Sequence, residues 1–168
     1  VWVASSALGK IFRFSSDGTE RAWSSVKTGH LAKAKDGSIY FANHHGTCVR
    51  RITPDGDVEI VAGDQKISGH IDGPLKSARF VSTYGIAIHR TGNIYVTDGH
   101  AIRRITMDGQ VETIAGHITK RGDQIGDPLK EARFDRPSGL DVDKNGHLWV
   151  TTRSGFIYKI LNVEPKGE

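Results

Sequence analysis

Residues Ile39–Gly63 read IYFANHHGTCVRRITPDGDVEIVAG, and Ile94–Gly116 read IYVTDGHAIRRITMDGQVETIAG. The two stretches are near copies. A weaker copy opens the chain at Val1–Trp23 (VWVASSALGKIFRFSSDGTERAW), and a fourth lies at Leu148–Asn162 (LWVTTRSGFIYKILN). One such unit cannot bury its apolar face alone, so recurrence along the chain implies stacking of each unit on its neighbours.

Each copy has the same internal order. Trp2, Tyr40, Tyr95 and Trp149 are equivalent, and each opens a short β-branched and aromatic run. A second run follows at Ile11–Phe14, Val49–Ile52, Ile102–Ile105 and Ile157–Ile160. Runs of this composition separated by Gly-containing turns are strand and hairpin chemistry. Asp17-Gly18, Asp55-Gly56 and Asp108-Gly109 supply tight turns into a third strand, because Gly accepts the positive φ that such turns need. A further strand precedes each unit at Leu31–Lys35, Ile86–His89 and Leu140–Asp143, followed by turns ending at Gly37, Gly92 and Gly146. Four antiparallel strands per repeat make one propeller blade. The expected fold is therefore an all-β propeller of four-stranded antiparallel blades, with about three and a half blades in this chain, a partial or split propeller. The blades fall near 1–27, 28–63, 84–116 and 138–162, with loop inserts at 64–83 and 117–137. The first unit lacks its first strand and the last stops after its third, so the reading favours a piece of a longer propeller. Completion of the ring by a partner chain is the alternative, since open sheet edges invite association.

The string Gly85–Gly116 (GIAIHRTGNIYVTDGHAIRRITMDGQVETIAG) resembles an NHL repeat, and the resemblance covers nearly the whole chain. GPLKSARF (Gly73–Phe80) and DPLKEARF (Asp127–Phe134) resemble the insert of the longer NHL repeats. The opening VWVASSALGKIFRF is similar to the related propellers of the streptogramin-lyase type. The resemblance implies a ring closing with about six blades. It leaves the function open, because one fold carries many.

Composition agrees with this reading. The 168 residues suit one domain, and 20 glycines with 37% hydrophobic residues suit a turn-rich β protein. No apolar run approaches the length of a membrane-spanning helix, and the expected partners do not include a membrane. The single cysteine, Cys48, excludes an intrachain disulfide framework and fits a reducing, cytoplasmic compartment.

The turns joining strands one to two and three to four of a blade lie on one side, and in this chain they are the uniform Gly turns. The opposite side collects the variable segments Ser5–Lys10, His44–Thr47, Gly99–His100, Gly63–Thr83 and Gly116–Pro137. Binding residues concentrate on loops held by a rigid scaffold, so this is the candidate face. Of the eight histidines, His30, His44, His45, His70, His100 and His117 fall there, while His89 and His147 belong to the other side. Histidine is a common metal ligand and acid–base group, and some propeller lyases carry a metal over the central channel. His44, His100 and His117 are the residues for such a site. No fixed ligand spacing supports it, so no metal or cofactor is assigned.

Arg50-Arg51 and Arg103-Arg104 look like basic patches in a chain of net charge +4. However, Arg13, Arg51, Arg104 and Lys159 recur at one strand position, which points to carboxylate pairing or coverage of a strand face within each blade. Lys76, Arg79, Lys130 and Arg133, with Lys120 and Arg121, are the better contacts for single-stranded RNA. Pro74 and Pro128 suit the first turn of a short helix, with Asp72 and Asp127 at cap-like positions. Leu75, Ala78 and Phe80, like Leu129, Ala132 and Phe134, would tuck against the blades. Asp98 stands where other repeats have Ser5, Asn43 and Thr152, short polar groups that bond the backbone. The overall expectation is a scaffold whose loop-rich face binds a macromolecule, most simply a protein. The rival readings are a metal-dependent propeller lyase or hydrolase and an RNA binder.

Overall fold

A computed structural model describes residues 1–5, 7–24, 30–43, 46–161 and 163–164. Every regular element in it is a strand. The first blade holds β1 (Trp2–Ser5), β2 (Lys10–Phe14) and β3 (Glu20–Ser24). The second holds β4 (Leu31–Lys33), β5 (Ile39–Ala42), β6 (Cys48–Ile52) and β7 (Val58–Gly63). After the two-residue β8 (Gly73–Pro74), the third holds β9 (Thr83–Ile88), β10 (Ile94–Asp98), β11 (Ala101–Ile105) and β12 (Gln110–Gly116). The fourth holds β13 (Pro137–Val142), β14 (Leu148–Thr152) and β15 (Ile157–Ile160). Strand order within each sheet follows the chain, all pairs are antiparallel, and β8 joins the third sheet beside β12. The sheets form an open arc.

Alternation along the strands builds the core. Successive side chains of a strand point to opposite faces. In β10, Ile94 and Val96 therefore face blade two, packing with Val49 and Ala62, while Tyr95 faces blade four beside Leu148 and Val150. Ile11 and Trp23 meet Ile39, Phe41 and Ile52 between blades one and two. Each apolar cluster thus lies between two neighbouring blades, and no sheet buries both faces without a partner on each side.

Blade-to-blade contacts on the loop-rich side are polar as well. Thr83 N–H of blade three donates to the Gly46 carbonyl of blade two at 2.8 Å, and within blade three Gly99 N–H donates to the Ser82 carbonyl at 3.1 Å. Three of the four recurrent cations pair with carboxylates within their blades, while Arg13 lies over the Trp2 ring, 5.8 Å from its centre. Arg51 meets Glu59 at 2.8 Å, Arg104 meets Glu112 at 2.6 Å, and Lys159 meets Asp143 at 3.8 Å.

The inserts correct one expectation. Neither Pro74 nor Pro128 opens a helix; each begins a single turn. Ser77 and Ala78 N–H both donate to the Pro74 carbonyl, and Glu131 and Ala132 N–H to the Asp127 carbonyl. In the first insert the segment is claimed by the sheet. Gln110 pairs with Pro74 and Val111 with Gly73, and Leu75 N–H donates to the Gly109 carbonyl. Of the expected anchors, Ala78 and Phe80 are fully enclosed, Ala132 and Phe134 nearly so, and Leu75 packs partly buried against the core, whereas Leu129 is 57% exposed and does not tuck in.

Candidate functional site

The strand–loop boundary after β10 holds a buried ion cluster. Arg103 and Asp98 are both fully buried, and an Arg103 N–H donates to Asp98 Oδ2 at 2.7 Å. Its other terminal nitrogen donates to Asp72 Oδ1 at 2.6 Å and to the Ile71 carbonyl at 3.0 Å. The guanidinium also lies over the Phe80 ring, 4.9 Å from its centre. Asp98 Oδ1 accepts from the Val81 and Ser82 N–H groups at 2.8 and 2.9 Å. His70 completes the set, with Nδ1 3.2 Å from Arg103 and 3.6 Å from Asp98 Oδ2. Burying charges is costly unless they are paired and hydrogen-bonded, and here the pairing ties the first insert to blade three. Arg103 is therefore not part of a surface basic patch. Asp98 does bond the backbone, although across the insert rather than locally.

Beside this cluster, on the loop-rich face between blades three and four, lies a cleft of about 400 Å³. Its walls come from Ser82 and Tyr84 at the start of β9, His100 in the β10–β11 loop, Ile118, Arg136 and Arg153. Arg136 has φ 48°, the one non-glycine residue in the left-handed region among the described residues. Such a conformation costs about 1 kcal/mol or more in an L-residue and persists only where neighbours over-determine it. Pro137, which begins β13, restricts the residue before it. His100 Nδ1 lies 3.2 Å from Arg136 N and 3.1 Å from the Phe134 carbonyl. It accepts from Arg136 N–H in the Nε2–H tautomer and donates to Phe134 in the other. Arg153 N–H donates to the Asp135 carbonyl at 3.0 Å. Both arginine side chains are exposed, and among the described residues neither guanidinium meets a carboxylate. Tyr84 carries the inner wall, with its ring centre 5.0 Å from that of His30. Burial pushes His30 below its ordinary pKa, so the wall is uncharged at neutral pH.

The other residues singled out in the sequence are dispersed. His44 and His45 lie outside the described residues. His70 belongs to the ion cluster. His117 Nδ1 accepts from Thr119 and Lys120 N–H at 3.3 Å each, and desolvation, with Lys120 and Arg133 nearby, lowers its pKa. Arg79 spends its Nη1 on the Lys76 and Ala78 carbonyls, and Arg133 does the same with Ala132 and Lys130. These two clasp the insert turns. Arg121 pairs with Asp135 at 2.6 Å. Lys76, Lys120 and Lys130 are exposed. Of the predicted residues only His100 enters the cleft, and among the described residues no three His, Cys, Asp or Glu side chains are grouped to hold a metal. Arg136 and Arg153 were not anticipated; Arg136 precedes a proline, and nothing in the letters marks its strain.

No family model matches the chain. A curated protein from Bos taurus, NHL repeat-containing protein 2, is 25% identical over 140 residues, covering 76% of this chain and 19% of that protein. A solved structure of an auxiliary nutrient binding protein from Bacteroides thetaiotaomicron superposes with a TM-score of 0.76 at 22% identity, over 94% of this chain and 44% of that one. The chain has the β-propeller fold, as a partial propeller, and its sequence is similar to that of an NHL repeat-containing protein. It spans about a fifth of the curated relative and under half of that solved structure. Virginiamycin B lyase from Staphylococcus aureus also shares the fold, with a TM-score of 0.60 at 18% identity, over 95% of this chain and 65% of that one. Propellers of this shape thus include a nutrient binding protein and a lyase, so the shape leaves the function open.

Proposed function

We propose that this NHL-type segment is a scaffold that binds another protein through its loop-rich face, anchored at the cleft between blades three and four. The observation that carries the reading is the pair of unpaired guanidiniums, Arg136 and Arg153, at one concave site whose backbone is strained at Arg136. Arginine presents a planar fork of donors that matches a carboxylate in two parallel hydrogen bonds. The partner feature is accordingly an acidic side chain or chain terminus, flanked by an apolar group against Tyr84 and Ile118. Rigid display supplies the mechanism. The cleft loops are already tied to their neighbours by backbone hydrogen bonds, so little ordering entropy is lost on docking.

The test places a photo-crosslinking residue at Ser138, inside the cleft, and separately at Asn145, on the opposite Gly-turn face. The reading expects a discrete protein adduct from the first site alone, lost in an Arg136→Glu, Arg153→Glu variant. Equal adducts from both sites sink it. If nucleic acid is captured instead, with affinity falling steeply with salt, the RNA reading replaces it.

A further inference from the structure

Six hairpin turns on the Gly-turn face share one backbone frame. In each, the carbonyl of the opening residue accepts the N–H of a glycine three positions on, and its own N–H donates to the carbonyl of the residue after that glycine. Ser15, Thr53 and Thr106 open the outer turns, which join the third strand of a blade to the fourth. Ala34, His89 and Asp143 open the inner turns, β4–β5, β9–β10 and β13–β14. The second residue divides the two sets. It is Ser16, Pro54 or Met107 in the outer turns and Lys35, Arg90 or Lys144 in the inner ones. The frame accepts an uncharged residue there, so the cations of the inner turns are not a demand of the backbone.

The inner turns converge. Lys35, Arg90 and Lys144, together with Lys33, border one cleft of about 330 Å³ between blades two, three and four. All four residues are exposed, and Lys35 Nζ crosses to the Arg90 carbonyl at 3.0 Å. Among the described residues none of the four meets a carboxylate. Arg51, Arg104 and Lys159 differ, because their recurrence is matched by a carboxylate in each blade. Asp143 is the one carboxylate bordering the cleft among the described residues. Its oxygens are taken up by the N–H groups of Asn145 and His147 and by the Trp149 indole. Like charges gathered in a concave site focus their field there and attract an anion.

The kind of cation gives the kind of anion. The loop-face cleft offers two planar guanidiniums, which suit a flat carboxylate. Here three of the four cations are lysines, compact point charges that bind phosphate without needing a planar partner. They reach the cleft from separate blades, so an anion with oxygens on several sides satisfies them together. A nucleic-acid backbone carries the same phosphate. However, among the described residues no Phe, Tyr or Trp borders the cleft to stack a base, and the cations meet at one cavity rather than tracking a strand.

We propose that the cleft between the three inner turns is a binding site for a small ligand bearing a phosphate or oligophosphate group. Lys35, Arg90 and Lys144 hold the phosphate oxygens, and Lys33 adds a fourth charge. The turn hydrogen bonds fix all three cations in advance, which limits the entropy lost on binding. This site lies on the face opposite the cleft of Arg136 and Arg153 and does not depend on it.

Calorimetric titration of the intact chain with inorganic triphosphate tests the proposal. Saturable one-to-one binding is expected, weakening as salt rises. Arg90→Ala and Lys144→Ala should each weaken it about fivefold, whereas Lys144→Arg should retain it. Lys66→Ala, which removes an equal charge from the loop-rich face, should leave it unchanged. In an NMR titration the amides of Gly37, Gly92 and Gly146 should shift, and those of Gly18, Gly56 and Gly109 should stay in place. The proposal is overturned if triphosphate does not saturate, or if Lys66→Ala weakens binding as much as Arg90→Ala, since net charge alone then draws the anion. It is also overturned if a uridine oligonucleotide binds at these turns and triphosphate fails to displace it, because the site then reads nucleic acid.

Discussion

Around the first insert, Arg103 reaches across to Asp72 and Asp98, Leu75 packs on a hairpin, and β8 seals the outer strand. Around the second insert, built on nearly the same letters, the counterpart of Arg103 is Tyr158. Its hydroxyl donates to Asp123 at 3.1 Å, and its ring meets Phe134 edge-on at 5.1 Å. Burial and the Asp123 carboxylate push that hydroxyl up to about 12, so it remains a donor throughout the neutral range. One junction is closed by charge buried in the interior; the other is a neutral contact beside an open cleft. Nearly the same insert is therefore joined to its sheet by different chemistry in the two blades, and what differs is the residue at the strand position of Arg103 and Tyr158.

The largest expected effect breaks the closed junction. Arg103→Leu leaves Asp98 buried with no counter-charge and should cost about 3–5 kcal/mol in denaturant-induced unfolding. Tyr158→Phe, the matching change at the open junction, removes one hydrogen bond at a less buried site and should cost about 1 kcal/mol or less. Equal losses would mean that the two junctions carry the same load despite their different chemistry. A smaller contrast concerns the paired leucines. Leu75→Ala uncovers a contact on the Gly109 hairpin and should destabilise by about 1–2 kcal/mol. Leu129→Ala, at an exposed position, should stay within about 0.5 kcal/mol.

The repeat made the blades, their strand order and the Gly turns readable, because period-two alternation and Asp-Gly reversals are local properties of the letters. The inserts misled because Pro-Leu-Lys after a small or capping residue is also good helix-start chemistry; at Pro74 a sheet edge overrides it, and at Pro128 the chain makes a single turn without such pairing among the described residues. Arg103 was readable in part. It shares a strand face with Ile105, which is buried, so alternation alone puts a cation on the apolar side. Its partners, Asp72 in the first insert and Asp98 at the end of β10, meet only through the fold. The loop-face cleft was less legible still. His100 was in view, but Arg136 and Arg153 are brought to it by the docking of blade four against blade three, a long-range contact with no local signature.

The smallest effect separates the Gly turns of the same two blades. In blade three the turn is held by His89, whose Nδ1 lies 2.8 Å from the Thr91 hydroxyl. In blade four Asp143 stands there, accepting from the N–H groups of Asn145 and His147 and from the Trp149 indole at 3.1 Å. The His147 N–H bond, more than any other contact, holds the Asp143 carboxyl below its ordinary value of 3.8. A carboxyl whose pKa is depressed by folding binds its proton more readily in the unfolded chain. Its contribution is therefore complete above about pH 4 and is lost as the pH falls through the lower folded value. Because Asp143 is well solvated, the loss should be modest and confined to this turn. Trp149 fluorescence should shift on acidification before the blade-three signals of Ile94 and Val96 move in an NMR titration. Asp143→Asn should remove the early shift; if that shift persists, the acid sensitivity lies elsewhere in blade four.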